Sequence, residues 1–111
     1  VTIAHADEGS SRGVEGWRAA VGLLRGLEGH QVQVLLSKAG ARWALPEQQR
    51  KSEHVRQMVG HLLAAGVKPC VDSSALKELQ LEQAELDTNV KIVDAEAIAQ
   101  MVAAAEAQLT Y

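Results

Sequence analysis

Apolar positions along the chain change period repeatedly, and the changes mark out its elements. Val1 to Ala6 is a short apolar run and reads as a strand. Asp7-Glu8-Gly9-Ser10-Ser11-Arg12-Gly13 follows as a turn-rich loop with serines available to cap a helix. Val14, Trp17, Val21, Leu24 and Leu27 then recur at helical spacing, with Gly29 as the stop. Val32, Val34 and Leu36 lie in a β-branched run, the second strand. Ser37 to Pro46 reads as a loop. From about Glu47 the stripe Val55, Met58, Val59, Leu62 and Leu63 predicts a helix that Gly66 ends.

Val67-Lys68-Pro69-Cys70-Val71 is the third strand, and Asp72 or Ser73 caps a short helix carrying Leu76 and Leu79. Gln80 to Asn89 is polar and gives no clear period. Val90 to Val93 is a fourth strand. Asp94 caps a helix with Ile98, Met101, Val102 and Ala105, and Leu109 to Tyr111 is a final strand. Strands alternating with helices predict right-handed crossovers and an α/β fold: a three-layer sandwich, a mostly parallel sheet of about five strands, and helices on both faces. No repeat or linker interrupts the 111 residues, so a single domain over 1–111 is expected.

Composition narrows the function classes. A net charge of −3 argues against autonomous nucleic-acid binding. A single cysteine forms no internal disulfide and suits a reducing, cytoplasmic setting. No apolar run approaches the roughly 20 residues that cross a bilayer, and no signal peptide is evident. The loop at Gly9 to Gly13 lacks the Gly-Lys-Ser/Thr ending of a phosphate loop and the three-glycine dinucleotide fingerprint, so no nucleotide cofactor is expected. His54 and His61 stand two helical turns apart, and His5 and His30 have no ligand spacing, so no metal site is read.

The candidate chemistry gathers where ligands gather in open α/β sheets, at the carboxyl ends of the strands. Asp7 to Gly13, Ser37 to Arg42 and Cys70 to Ser74 all fall on that edge. Cys70 reads as the strand's last turn before a helix N-terminus, where unpaired N–H groups favour thiolate. The same position also suits a small apolar filler. Asp72, two residues on, opposes a thiolate unless its charge is engaged as the helix cap. Lys38, Arg42 and Lys77 are candidate cations for a thiolate or persulfide, and Ser10, Ser11, Ser73 and Ser74 are candidate donors to an anion. Trp43, read in a loop, would mark a subunit contact if exposed.

The order of elements, with Gly9-Ser10-Ser11-Arg12-Gly13, Ala65-Gly66-Val67 and the stretch Val67 to Leu76 around Cys70, resembles the DsrE-like sulfur-relay family. The resemblance covers nearly the whole chain. It implies that Cys70 accepts sulfane sulfur as a persulfide and passes it on, with donor and acceptor proteins as partners. It also implies a homo- or hetero-oligomer: a dimer, trimer or hexamer. One departure stands out: Lys77-Glu78-Leu79 follows the cysteine helix where the family often has Arg-Gly. The alternatives are a structural or regulatory subunit without chemistry, and a module that binds a small anion at the strand-end edge.

Overall fold

The computed structural model describes residues 1–6, 11–26, 32–105 and 108–111. Four parallel strands stand in sequence order: β1 (Thr2–Ile3), β2 (Leu35–Leu36), β3 (Cys70–Asp72) and β4 (Lys91–Val93). In place of a fifth strand, Thr110 makes a single parallel bridge to Thr2. The Thr2 N–H donates to the Leu109 carbonyl at 2.7 Å, and the Tyr111 N–H to the Thr2 carbonyl at 2.8 Å. The α/β class is as expected, with one strand fewer.

Helix α1 (Arg12–Leu24) buries Gly13, Gly16, Trp17 and Ala20, one face at helical spacing. It lies so close to the sheet that a Cβ on Gly16 would stand 2.7 Å from Ile3 Cγ1. The expected stop at Gly29 lies outside the described residues.

The helix expected from Glu47 is two helices. Pro46 starts α2 (Pro46–Arg50), and Ser52 then begins α3 (Glu53–Ala64), its Oγ accepting the Val55 N–H at 3.2 Å. Gly66 ends α3 as expected. At φ +83 it takes the left-handed position, while the Val67 N–H donates back to the Leu62 carbonyl at 2.8 Å. The remaining helices are α4 (Ser73–Glu78) and α5 (Ala95–Ala104), capped by Asp72 and Asp94.

The sheet steps in one direction from β1 to β4, so right-handed crossovers place α1, α2, α3 and α4 on one face. The return from β4 to the bridge at Thr2 places α5 on the other. Burial follows this division. Ile3, Val34, Leu36 and Val71 join Trp17, Val55, Val59, Leu62 and Leu76 in one large core. Leu35 and Val93 point the opposite way and are buried outside that core. The second face is thinly covered: α5 has no buried residue.

The segment read as a loop between Ser37 and Pro46 contains a 3-10 helix, Lys38–Ala44. It folds inward because its apolar residues have somewhere to go: Ala41, Trp43 and Ala44 are all in the core. Trp43 is therefore a core residue and not an exposed loop residue. Its ring meets Trp17 edge-on, with centroids 6.4 Å apart. The uncertain stretch after Gln80 is mostly irregular, with a 3-10 turn at Gln83–Glu85, and is pinned by the buried Leu86.

Candidate functional site

Cys70 is the first residue of β3 and not the last. The ladder starts there because the two residues before it are otherwise committed. Val67 closes the turn after α3, and Pro69, fully buried, has no N–H to give. From Cys70 onward the bonds are regular: its N–H donates to the Val34 carbonyl at 2.8 Å, and the Lys91 N–H to the Pro69 carbonyl at 2.9 Å. The carboxyl end of β3 is Asp72, about 7 Å further along the strand.

Pleating decides which way the sulfur faces. Val71 enters the large core, so Cys70 and Asp72 face the side covered by α5. The thiol is half-buried and free, and its hydrogen donates weakly to the Lys68 carbonyl at 3.8 Å. Leu35 on β2 and Lys91 on β4 pair with Cys70 in register, so their side chains lie beside it in one row. Burial pushes the Cys70 thiol above its ordinary value, and the Lys91 charge pulls part of the way back.

The start of α4, expected to stabilise a thiolate, is occupied. The Asp72 carboxylate accepts the Ser74 N–H at 2.9 Å. Ser73 is half-buried and Ser74 exposed, both in the first turn.

The 3-10 helix that carries Lys38 and Arg42 packs against β3 and α4. Lys38 is exposed, in a left-handed conformation at φ 50. Both belong to the segment that fills the large core, on the opposite side of the sheet from Cys70. Lys77 is exposed in the last turn of α4. Ser11 is exposed at the start of α1 without bonding through its side chain to the helix, and Ser10 lies outside the described residues.

Thus Lys38, Arg42, Ser73 and Ser74 belong to elements that pack together, while Cys70 stands apart from that edge at the start of β3. The charge the structure sets beside the sulfur is Lys91, which sequence reasoning passes over. Only strand register identifies that neighbour, and register between two distant strands is not written in either strand alone.

Near β1 the carboxyl edge is filled rather than open. The Trp43 Nε1–H donates to the His5 carbonyl at 2.7 Å and the Gln48 Nε2–H to the Ala6 carbonyl at 2.9 Å. Gly40 is pressed against Ile3: a Cβ there would fall 1.9 Å from the Ile3 carbonyl oxygen. Among the described residues, two buried ring nitrogens, His5 Nδ1 and Trp17 Nε1, have no hydrogen-bond partner. Among the described residues no group of three His, Cys, Asp or Glu side chains is placed to hold a metal ion. Nor, among them, is any helix long and apolar enough to cross a membrane.

A profile of the DsrE/DsrF-like family matches residues 2–111, essentially the whole fold just described. The chain belongs to the DsrE/DsrF-like family. Membership supports a role in sulfur relay in general terms. Among solved structures, this DsrE/DsrF-like chain is similar to the YchN protein from E. coli, at a TM-score of 0.83 and 20% identity. The match covers 99% of this chain and 96% of the YchN chain, so the two share a fold from end to end. A search of curated proteins found no match.

Proposed function

We propose that this DsrE/DsrF-like protein is a small sulfur-relay carrier in which Cys70 accepts a sulfane sulfur and hands it on. The observation that carries the reading is the half-buried free thiol of Cys70 on the thinly covered face of the sheet, with a lysine beside it. The first step is an exchange. The Cys70 thiolate attacks the outer sulfur of a donor persulfide. The donor's S–S bond breaks, a new S–S bond forms on Cys70, and the donor leaves as a thiolate that takes up the proton Cys70 gave away. No net oxidation occurs. An acceptor thiolate then repeats the exchange on the Cys70 persulfide.

Burial keeps most of the resting thiol protonated at neutral pH. The thiolate that does form is correspondingly basic and strongly nucleophilic. Access is therefore the quantity that decides the rate, and specificity comes from docking of the donor and acceptor proteins. Exposed apolar side chains at Ile92, Val102 and Leu109 suit contact with such partners or with further subunits, in a homo- or hetero-oligomer.

The test is intact mass after reduced protein is incubated with a sulfane-sulfur donor. A gain of one sulfur atom, about 32 Da, that disappears in Cys70→Ser supports the relay. No gain, with slow alkylation of Cys70 at every pH, overturns it.

One observation favours a second reading. The thiol's raised proton affinity is what a packing cysteine shows. On that reading the chain is a structural or regulatory subunit, and Cys70→Ala leaves its function intact.

A further inference from the structure

We infer that Lys91 is the charge that stabilises the anionic forms of the Cys70 sulfur, the minor thiolate of the resting protein and the loaded persulfide. This deepens the relay reading and rests on it. The two residues are register partners on adjacent parallel strands, so their side chains leave the same face side by side. A short β4 with Lys91 as its first residue fixes that position through the bond from the Lys91 N–H to the Pro69 carbonyl. Lys91 is exposed while Cys70 is half-buried. An exposed lysine beside a half-buried thiol keeps its ammonium group in water. A persulfide adds a second sulfur about 2 Å beyond the first. An outer sulfur that reaches past the half-buried thiol to solvent would meet the exposed lysine there, so the loaded form would gain more from the charge than the empty one.

Other charges on this face do not replace it. Along β3 and the residues just before it, alternation gives Lys68 and Asp72. Lys68 is exposed and meets the thiol through its carbonyl oxygen. The Asp72 carboxylate caps α4. On β2 the neighbours Gln33, Leu35 and Ser37 carry no charge. Among the described residues, α5 and its cap bring Asp94, whose carboxylate accepts the Ala97 N–H at 2.9 Å, and Glu96, which is exposed. Lys91 is also the charge that acts on the thiol, opposing the effect of burial.

The experiment compares wild type, Lys91→Gln and Lys91→Arg by two independent readouts: the pH profile of Cys70 alkylation, and the lifetime of the persulfide after loading. Lys91→Gln is expected to lower the alkylation rate at pH 7 about threefold, the effect of one unit charge at this range in a water-like dielectric. It is expected to shorten the persulfide lifetime by a larger factor. Lys91→Arg restores both, and molar salt erases the difference in alkylation.

An unchanged profile in Lys91→Gln overturns the role of Lys91, whatever the loading shows. A shifted profile in a protein whose wild type never loads keeps the thiolate partnership. That outcome overturns the persulfide half of the inference together with the relay reading. The site is solvent-exposed at Lys91, so the fold survives both substitutions, and a far-ultraviolet spectrum confirms it.

Discussion

The Asp72 carboxylate accepts the Ser74 N–H at 2.9 Å and closes the amino end of α4 with the protein's own charge. A helix end already holding a carboxylate has little positive field left for a sulfur two residues upstream. Replacing Asp72 by Ala removes the cap and is expected to cost about 1 kcal/mol in urea unfolding, while Asp72→Ser keeps most of it. Equal losses from both substitutions would show that the side chain does something other than cap.

Cys70 makes stability depend on alkaline pH. Its thiol binds a proton more tightly folded than unfolded, because burial raises it above its ordinary value of 9.0. The folded state therefore keeps the proton where the unfolded state has released it. This contribution is whole below the unfolded value and is lost as pH rises through the folded one. Wild type should lose stability relative to Cys70→Ser as pH rises above the ordinary thiol value of 9.0. Parallel curves across that range would mean that the thiol is as solvated folded as unfolded.

Two glycines predict opposite outcomes for the same substitution. Gly40→Ala drives a methyl into the Ile3 carbonyl, 1.9 Å away, and backbone cannot move aside cheaply. A loss of about 3 kcal/mol or more is expected. Gly60 lies inside α3, where a methyl group would meet no atom within 4 Å. Gly60→Ala should gain about 0.5–1 kcal/mol through helix propensity. Thermal melts of the pair decide both.

The two tryptophans also separate. Trp43→Phe gives up the bond to the His5 carbonyl and leaves that oxygen unpaired, about 1–3 kcal/mol beyond the lost area. Trp17→Phe removes an indole N–H that has no partner among the described residues. It should cost less, although both rings are buried and share the same edge-on contact. Chemical denaturation of the two variants gives the comparison directly.

The parts legible in the sequence are those set by near neighbours. Asp72, Asp94 and Gly66 do what their residue types do at helix ends, because a cap is a bond between residues two or three apart. The core stripe of α3 follows from spacing alone. The segment Lys38–Ala44 is not legible as a helix, because what holds it is distant in sequence: Ile3, His5 and Trp17.

Cys70 opens its strand instead of closing it for a similar reason. Val67 to Val71 reads as one apolar run, and only the turn after α3 and the missing N–H of Pro69 delay the ladder. The lysine beside the sulfur lies beyond sequence reading altogether, since a strand does not declare its register with its neighbour.

The bridge between Thr2 and Thr110 sets the order in which this protein can assemble. Each step from β1 to β4 joins strands roughly twenty to thirty-five residues apart, short enclosures that form early. The bridge encloses more than a hundred residues, and closing it costs about 1 kcal/mol more in chain entropy than the loop from β1 to β2. It becomes rewarding only once β1 is already anchored. The last segment should therefore lock on late in folding and release first under stress. Hydrogen exchange would show it as the fast-opening edge of an otherwise slowly exchanging sheet.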